Sequence, residues 1–411
     1  MPTRIDRRRF LATGTALGCS LAASPLLTPV SFASAPWDSR LVVIILRGGM
    51  DGLDIVRPVG DAGFAALGRG IEAAGAAEAA EAAERDLDGF FALNPALDGL
   101  MPMWRAGELG FVHAVSTPYR DKRSHFDGQD MLEAGTASLT GGQTRDGWLN
   151  RMLQAVPGLS GETAYAIGRE EMLLLTGAAP VSEWSPDADL DLSPQARLLL
   201  DLVYSRDPAF RAAASEALAL TETLGLADGA PPEPEGMQAS MLAATRGGGH
   251  LRIARFAAER LTGAARVAAF SLNGWDTHRQ QARTLRPAAT RLAETLTELR
   301  DGLGPAWDKT AVIAMTEFGR TARLNGTGGT DHGTGGAMVL AGGALRGGRV
   351  HGDWPGLADS ALYNGRDLMP TRDVRAYPAW VMHDLLGINK RAIEGAIFPG
   401  LEMGSNPGLV A

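Results

Sequence analysis

Residues 41–46 form an uninterrupted apolar run that stops at Arg47, Gly48 and Gly49. Such a run predicts a strand buried on both faces, because a strand with one wet face would alternate. Residues 109–115, 266–272, 310–316 and 337–341 read as further strands. Between them the spacing turns helical. Short helices are expected at 126–134 and 147–156, and an amphipathic one at 279–303. Residues 193–226 read as helical with a break near Asp207 and Pro208. A proline-rich loop at 231–235 is followed by a helix ending at Leu261, and residues 373–386 read as a closing helix. Residues 62–85, rich in Ala and Glu, read as an exposed helix. Strands alternating with helices predict an α/β fold, a mostly parallel central sheet flanked by helices.

The chain has 411 residues, 45% of them apolar, with room for one large or two modest domains. Its formal net charge of −8 argues against non-specific nucleic-acid binding, which calls for a basic surface. The single cysteine, Cys19, allows no intramolecular disulfide.

The first residues read as a targeting signal. Arg7, Arg8 and Arg9 precede Phe10 and Leu11, a pattern similar to the twin-arginine motif, and a weakly apolar run follows to about Phe32. Pro25 and Pro29 argue against an uncleaved membrane anchor. Cleavage after Ala33 and cleavage after Ala35 both fit, so residues 1–35 are assigned to the signal and 36–411 to one working domain. Removing residues 1–33 takes away Arg4, Arg7, Arg8, Arg9 and Asp6, which leaves a charge of −11 against −8 for the whole chain. The expected partner is the twin-arginine export machinery, the expected location is the periplasm or beyond, and no stable membrane anchor remains after cleavage. A route for folded proteins suits one that takes up a metal or cofactor before export.

In parallel sheets, sites lie beyond the carboxyl ends of the strands. The loop after 41–46 carries Arg47 and Asp51, the loop after 266–272 carries Asp276 and His278, and the loop after 310–316 carries Glu317 and Arg320. Asp331 and His332 stand just before 337–341. Carboxylate oxygens mixed with imidazole nitrogens suit zinc, manganese or iron, whereas calcium and magnesium prefer oxygen alone. Taken singly, each residue has an ordinary reading: Asp51 a turn, Glu317 an ion pair with Arg320 or Arg323, Asp331 and His332 a glycine-rich loop. Four such loops at one end of a sheet are harder to read as ordinary turns. Ser124 opens a Ser-x-x-Asp segment, which is a helix-capping box. The same placement puts its hydroxyl in a positive helix dipole that stabilises an anion, so cap and nucleophile both stand.

These pieces resemble a family. Ser124 through Gln129, and His332 with the strand after it, are similar to segments of the alkaline phosphatase superfamily. More closely, the twin-arginine signal, the loop from Arg47 to Gly52, the Ser-His-Phe segment at 124–126, and Glu317 to Arg320 before Asp331 and His332 resemble the bacterial sulfatase-like family called domain of unknown function 1501. The resemblance implies an alkaline phosphatase-like fold and a metal-dependent hydrolase of phosphate or sulfate esters. It implies one or two divalent ions near a nucleophilic Ser124. Asp51 and Glu317 would hold the ion touching Ser124, and Asp276, His278 and His332 would hold the other. Asp331 would be a ligand or would orient His332. Arg47 and Arg320 are candidates to grip a small anionic ester, with surface ion pairs as their alternative. A formylglycine sulfatase is excluded, since Cys19 lies in the signal. The rival reading is a non-catalytic exported binding or assembly protein on the same fold.

Export is expected to need the arginines. Changing Arg7, Arg8 and Arg9 together to Lys should leave precursor in the cytoplasm on fractionation, and an undiminished periplasmic yield would refute the signal assignment.

Overall fold

The apolar run at 41–46 becomes an inner strand of the large sheet. In a computed structural model of the chain, the described residues are 37–69, 85–121, 123–138, 146–156, 164–167, 172–184 and 248–411. All of them belong to one compact unit, residues 33–186 with 247–411. The signal assigned to 1–35, the helix expected at 193–226, the loop at 231–235 and Lys122 lie outside the described residues, as does 70–84 of the helix expected at 62–85.

In chain order the described strands are β1 (Arg40–Arg47), β2 (Val56–Arg57), β3 (Arg85–Asp86), β4 (Ala92–Leu93), β5 (Leu109–Ser116), β6 (Ala164–Ile167), β7 (Ser182–Trp184), β8 (Val267–Asn273), β9 (Thr310–Met315), β10 (Gly336–Ala341), β11 (Val350–His351) and β12 (Arg372–Asp373). The large sheet runs β11-β5-β10-β9-β1-β8-β6-β7, with β12 also paired to β5, and β2-β4-β3 form a small separate sheet. β1 lies parallel between β8 and β9, with Leu41 opposite Val267 and Ala311. β10 is antiparallel to both of its neighbours, so it alone among the described strands of this sheet is reversed. The expected fold class, α/β with a mostly parallel sheet flanked by helices, is the one observed.

Six helices frame the site or the sheet: α1 (Gly52–Ile55), α2 (His125–Ala134), α3 (Trp148–Gln154), α4 (Gly249–Thr262), α5 (Gln281–Leu303) and α6 (Ala376–Leu386). Side chains alternate across a strand. Leu41, Val43 and Ile45 pack in one core cluster with Trp148, Met152, Tyr377 and Val381 from α3 and α6. Val42, Ile44 and Leu46 are equally buried. α4 and α5 pack on each other and on β8. Each buried aliphatic side chain contributes roughly 2 kcal/mol. The buried face of α5, Leu285, Ala288, Ala289, Leu292, Leu296, Leu299 and Leu303, keeps the three-four spacing that predicted the helix. The closing helix starts at Ala376, later than expected, because Arg372 and Asp373 pair with β5 as β12.

His113 on β5 is 2% exposed and lies stacked on Phe91. Its Nε2–H donates to the Val56 carbonyl at 2.9 Å, and its Nδ1 accepts from the Ala114 N–H at 3.1 Å. Burial pushes its pKa down to about 4, against the pull of the Val56 carbonyl and the more distant Asp51. Between the unfolded value of about 6.5 and this one, the unfolded chain binds a proton that the fold refuses, so stability falls as pH drops through that window. Urea unfolding should show a loss approaching about 3 kcal/mol from this group between pH 7 and pH 4. His113→Gln, which keeps an amide donor for Val56, should flatten that slope; an unchanged slope would assign the acid lability elsewhere.

Candidate functional site

Parallel pairing brings the ends of β1, β8 and β9 level, with Arg47 opposite Asn273 and Ile45 opposite Met315. The loops after these strands, the chain after β5 and the loop before the reversed β10 therefore meet at one edge. Gly48 makes one of these close meetings possible. Its φ is +123°, and a Cβ there would lie 2.4 Å from the backbone nitrogen of Asp276. Its N–H donates to Glu317 Oε1 at 2.9 Å, which ties the β1 and β9 loops together.

Asp276 stands at the centre of the edge. Arg320 Nη1 donates to its Oδ1 at 2.9 Å. The Nε2 atoms of His278 and His332 lie 3.0 Å and 3.3 Å from the same oxygen. Nε2 of His125 lies 3.5 Å from Oδ2, too long for a good hydrogen bond, and has no hydrogen-bond partner among the described residues. His125, Asp276 and His332 each offer a ligand atom within 4.8 Å of one another, a group that can hold a metal ion.

The opposite nitrogens explain why the Nε2 atoms face inward. Nδ1 of His125 meets Glu317 Oε1 at 2.8 Å, Nδ1 of His278 meets Asp331 Oδ1 at 3.3 Å, and Nδ1 of His332 meets the Arg123 carbonyl at 2.9 Å. Each partner is an acceptor, so each Nδ1 carries a proton, and in the neutral ring the lone pair that can bind an ion lies on Nε2. His278 Nε2 and His332 Nε2 then face each other at 3.0 Å. Two lone pairs at that distance repel unless a proton or a cation lies between them. A cation would answer both imidazoles and Asp276 together, so the donor set fits a metal. Arg123 takes a left-handed φ of +57° to aim its carbonyl at His332, a conformation costing about 1 kcal/mol for a side-chain-bearing residue.

The charges are arranged to match. The carboxylates of Asp276 and Glu317 push His125 up to about 9. Burial works to raise Asp276, but His125, His332 and Arg320 hold it well below the usual carboxylate range. Burial likewise opposes ionisation of Glu317, and its hydrogen bonds from His125, Gln129 and Gly48 more than offset this. Asp331 is lowered, first by the Asn325 amide and then, against some burial, by His278.

The sequence-expected residues separate into two groups. Asp276, His278 and His332 come together, with Asp331 behind His278 rather than behind His332. Glu317 is fully buried and touches His125, Gln129, Gly48 and Thr316, so it orients the cluster from behind. Asp51 stands apart. Its carboxylate accepts Arg69 Nη1 at 2.9 Å on both oxygens, Gln281 Nε2 at 2.7 Å and the Leu53 N–H at 3.1 Å, at 1% exposure. Arg47 is engaged by Gln129 at 2.7 Å and Glu133 at 2.8 Å. Arg320 is buried against Asp276 and Thr330. Ser124 caps α2, accepting from the Asp127 N–H at 3.4 Å, while its own N–H donates to the Tyr119 hydroxyl at 2.7 Å. His125 and Arg69 were not among the expected residues. His125 was legible as a histidine beside a helix start that follows a strand; Arg69 carries no local signal.

Fold and edge together define an α/β protein with a histidine and aspartate cluster, suited to a metal ion, at the carboxyl end of its sheet. The chain belongs to the family described as protein of unknown function (DUF1501), which matches residues 113–376 and so spans His125, Asp276, His278 and His332. No curated protein matches it. Among solved structures it is similar to the lipoteichoic acid synthase LtaP from Listeria monocytogenes, at 10% identity and a TM-score of 0.39, over 95% of this chain and 82% of that one. It is also similar to a protein in the alkaline phosphatase superfamily from Vibrio parahaemolyticus, at 12% identity and a TM-score of 0.33, over 82% and 69% of the two chains. At such scores the likeness assigns no activity here.

Arg69 is the counter-charge to two buried carboxylates, Asp51 and, at 3.9 Å, Asp54. Arg69→Met should cost about 3–5 kcal/mol in urea unfolding, because it strands buried charge. A cost below about 1 kcal/mol, the range of surface pairs, would show that the pair is not the anchor of this region.

Proposed function

We propose that this protein is a metal-dependent hydrolase of phosphate or sulfate esters that works in the periplasm or outside the cell after twin-arginine export. One observation carries the reading: three imidazoles, each with Nδ1 held by an acceptor, turn Nε2 toward a single carboxylate. His125, His278, His332 and Asp276 would hold one ion, and their nitrogen-rich set favours zinc, manganese or iron. Such an ion supplies Lewis acidity toward an ester oxygen. Ser124 lies between Arg123, whose carbonyl fixes His332, and His125, so its hydroxyl belongs to the segment that wraps the cluster. It also sits at the positive end of α2, which favours an anion. With Asp51 and Glu317 engaged elsewhere, the proposal is for one ion rather than two.

A second reading, a non-catalytic exported binding or assembly protein, draws on a different observation. Ser124 serves as a helix cap, and Arg47 is taken up by Gln129 and Glu133, so two residues expected to meet substrate already have structural work.

The test measures metal per chain and turnover of aryl phosphates and sulfates together. His125→Ala should weaken metal binding by more than about a hundredfold with the fold retained, and Asp276→Asn, which keeps an acceptor for Arg320, should do so as well at some cost in stability. Ser124→Asp keeps the cap at little cost, so its loss of turnover with metal retained would mark the nucleophile. Stoichiometric metal without turnover on any ester favours the non-catalytic reading, and wild-type protein that binds no metal ends the hydrolase proposal.

A further inference from the structure

Behind the metal cluster runs a line of buried polar side chains whose proton directions are fixed from one end. It starts at Asp51, which can only accept. Gln281 must therefore present its amide nitrogen to Asp51, at 2.7 Å, and its carbonyl Oε1 to the other side. That oxygen receives the Thr330 hydroxyl proton at 3.2 Å. The hydroxyl has one proton, so its lone pairs face the other way, where Arg320 Nε–H donates at 3.1 Å. The Thr330 carbonyl accepts from Arg320 Nη2 at 2.9 Å. The guanidinium plane is thus set by two contacts to one residue, and the remaining nitrogen, Nη1, points at Asp276 Oδ1, 2.9 Å away. Asp51, Gln281, Thr330 and Arg320 are each at most 3% exposed, so water does not compete for these bonds.

We infer that Gln281 and Thr330 are positioning residues: they carry the orientation of the buried Asp51–Arg69 pair to Arg320, and through it fix the carboxylate of Asp276 against the three imidazoles. Gln281 is suited to the role because it is the first residue of α5 and its backbone is pinned as well. Its N–H donates to the Gly328 carbonyl at 2.7 Å, in the same loop that carries Thr330. Asp276 itself is half-exposed and tied to a loop. Without a fixed guanidinium its carboxylate would be free to turn toward water, and the Nε2 atoms of His278 and His332 would lose their shared partner. Asp51, expected from resemblance to be a ligand, is separated here from Asp276 by three residues, Gln281, Thr330 and Arg320.

The inference rests on the metal reading for its effect on binding, so the test has one arm that needs no metal. The variants are Thr330→Val, which keeps the shape without the hydroxyl, Thr330→Ser, which keeps the hydroxyl, and Gln281→Asn, which is too short to span Asp51 and Thr330. In metal-free protein, the Arg320 Nε–H resonance should exchange slowly with solvent in wild type and Thr330→Ser, and at least tenfold faster in Thr330→Val and Gln281→Asn. In a cobalt(II) titration followed by its visible absorption, Thr330→Val and Gln281→Asn should bind about 10–100-fold more weakly, and Thr330→Ser like wild type. A purely structural role would lower the unfolding midpoint and leave the cobalt spectrum and affinity unchanged. Folded Thr330→Val or Gln281→Asn protein with wild-type exchange overturns the inference whether or not cobalt binds. Wild type that binds no cobalt refutes the metal reading, and the exchange arm still decides the positioning role.

Discussion

One carboxylate, Asp276, carries the edge of this sheet. Four chain segments send a nitrogen to it: Arg320 after β9, His278 in its own loop, His332 before β10, and His125 at the start of α2. The segments come from distant parts of the sequence, and their backbones are placed by the strands. Their side chains share this one acceptor. Because Arg320 is buried, a missing Asp276 would leave a guanidinium without its counter-charge as well as three imidazoles without a centre. Stability and chemistry therefore meet in the same group, which explains why the neighbouring donors are so tightly fixed from behind.

The sheet and most of its helices were legible because their signal is local. The run at 41–46 is apolar throughout, and β1 lies between two parallel strands with both faces covered. α5 shows its buried stripe in its spacing. β6 and β7 escaped notice because strands of four and three residues carry too little pattern. The edge was legible as a set of loops and less so as a set of partners. Asp51 follows β1 where a ligand was expected, yet its fate is decided by Arg69 and Gln281, both further along the chain and neither marked by any motif. Arg47 is likewise claimed by two residues of α2. Partner choice depends on tertiary distance, and a sequence shows only spacing. His125 illustrates the converse: Ser124 beside it took the attention, while the imidazole one position on faces the cluster.

The family pattern, residues 113–376, contains the whole histidine and aspartate cluster but begins after β1, Gly48 and Asp51. The supports of the cluster therefore extend beyond the matched residues. Gly48 holds Glu317, which holds His125, and Asp51 holds Gln281. The central strand contributes the floor and the brace, and the matched segment contributes the imidazoles and the carboxylate of the cluster.

The reversed strand has a consequence for assembly of the chain. In the described sheet β5 reaches β9 only through β10, so the two halves of the sheet are joined by a single strand that is made late. β1, made early, pairs with β8 and β9 far downstream, and such long-range pairings fold slowly because the loop must close before any contact rewards it. His332 lies four residues before β10. The strand that joins the two parts of the sheet is thus also the one that sets the last imidazole beside Asp276.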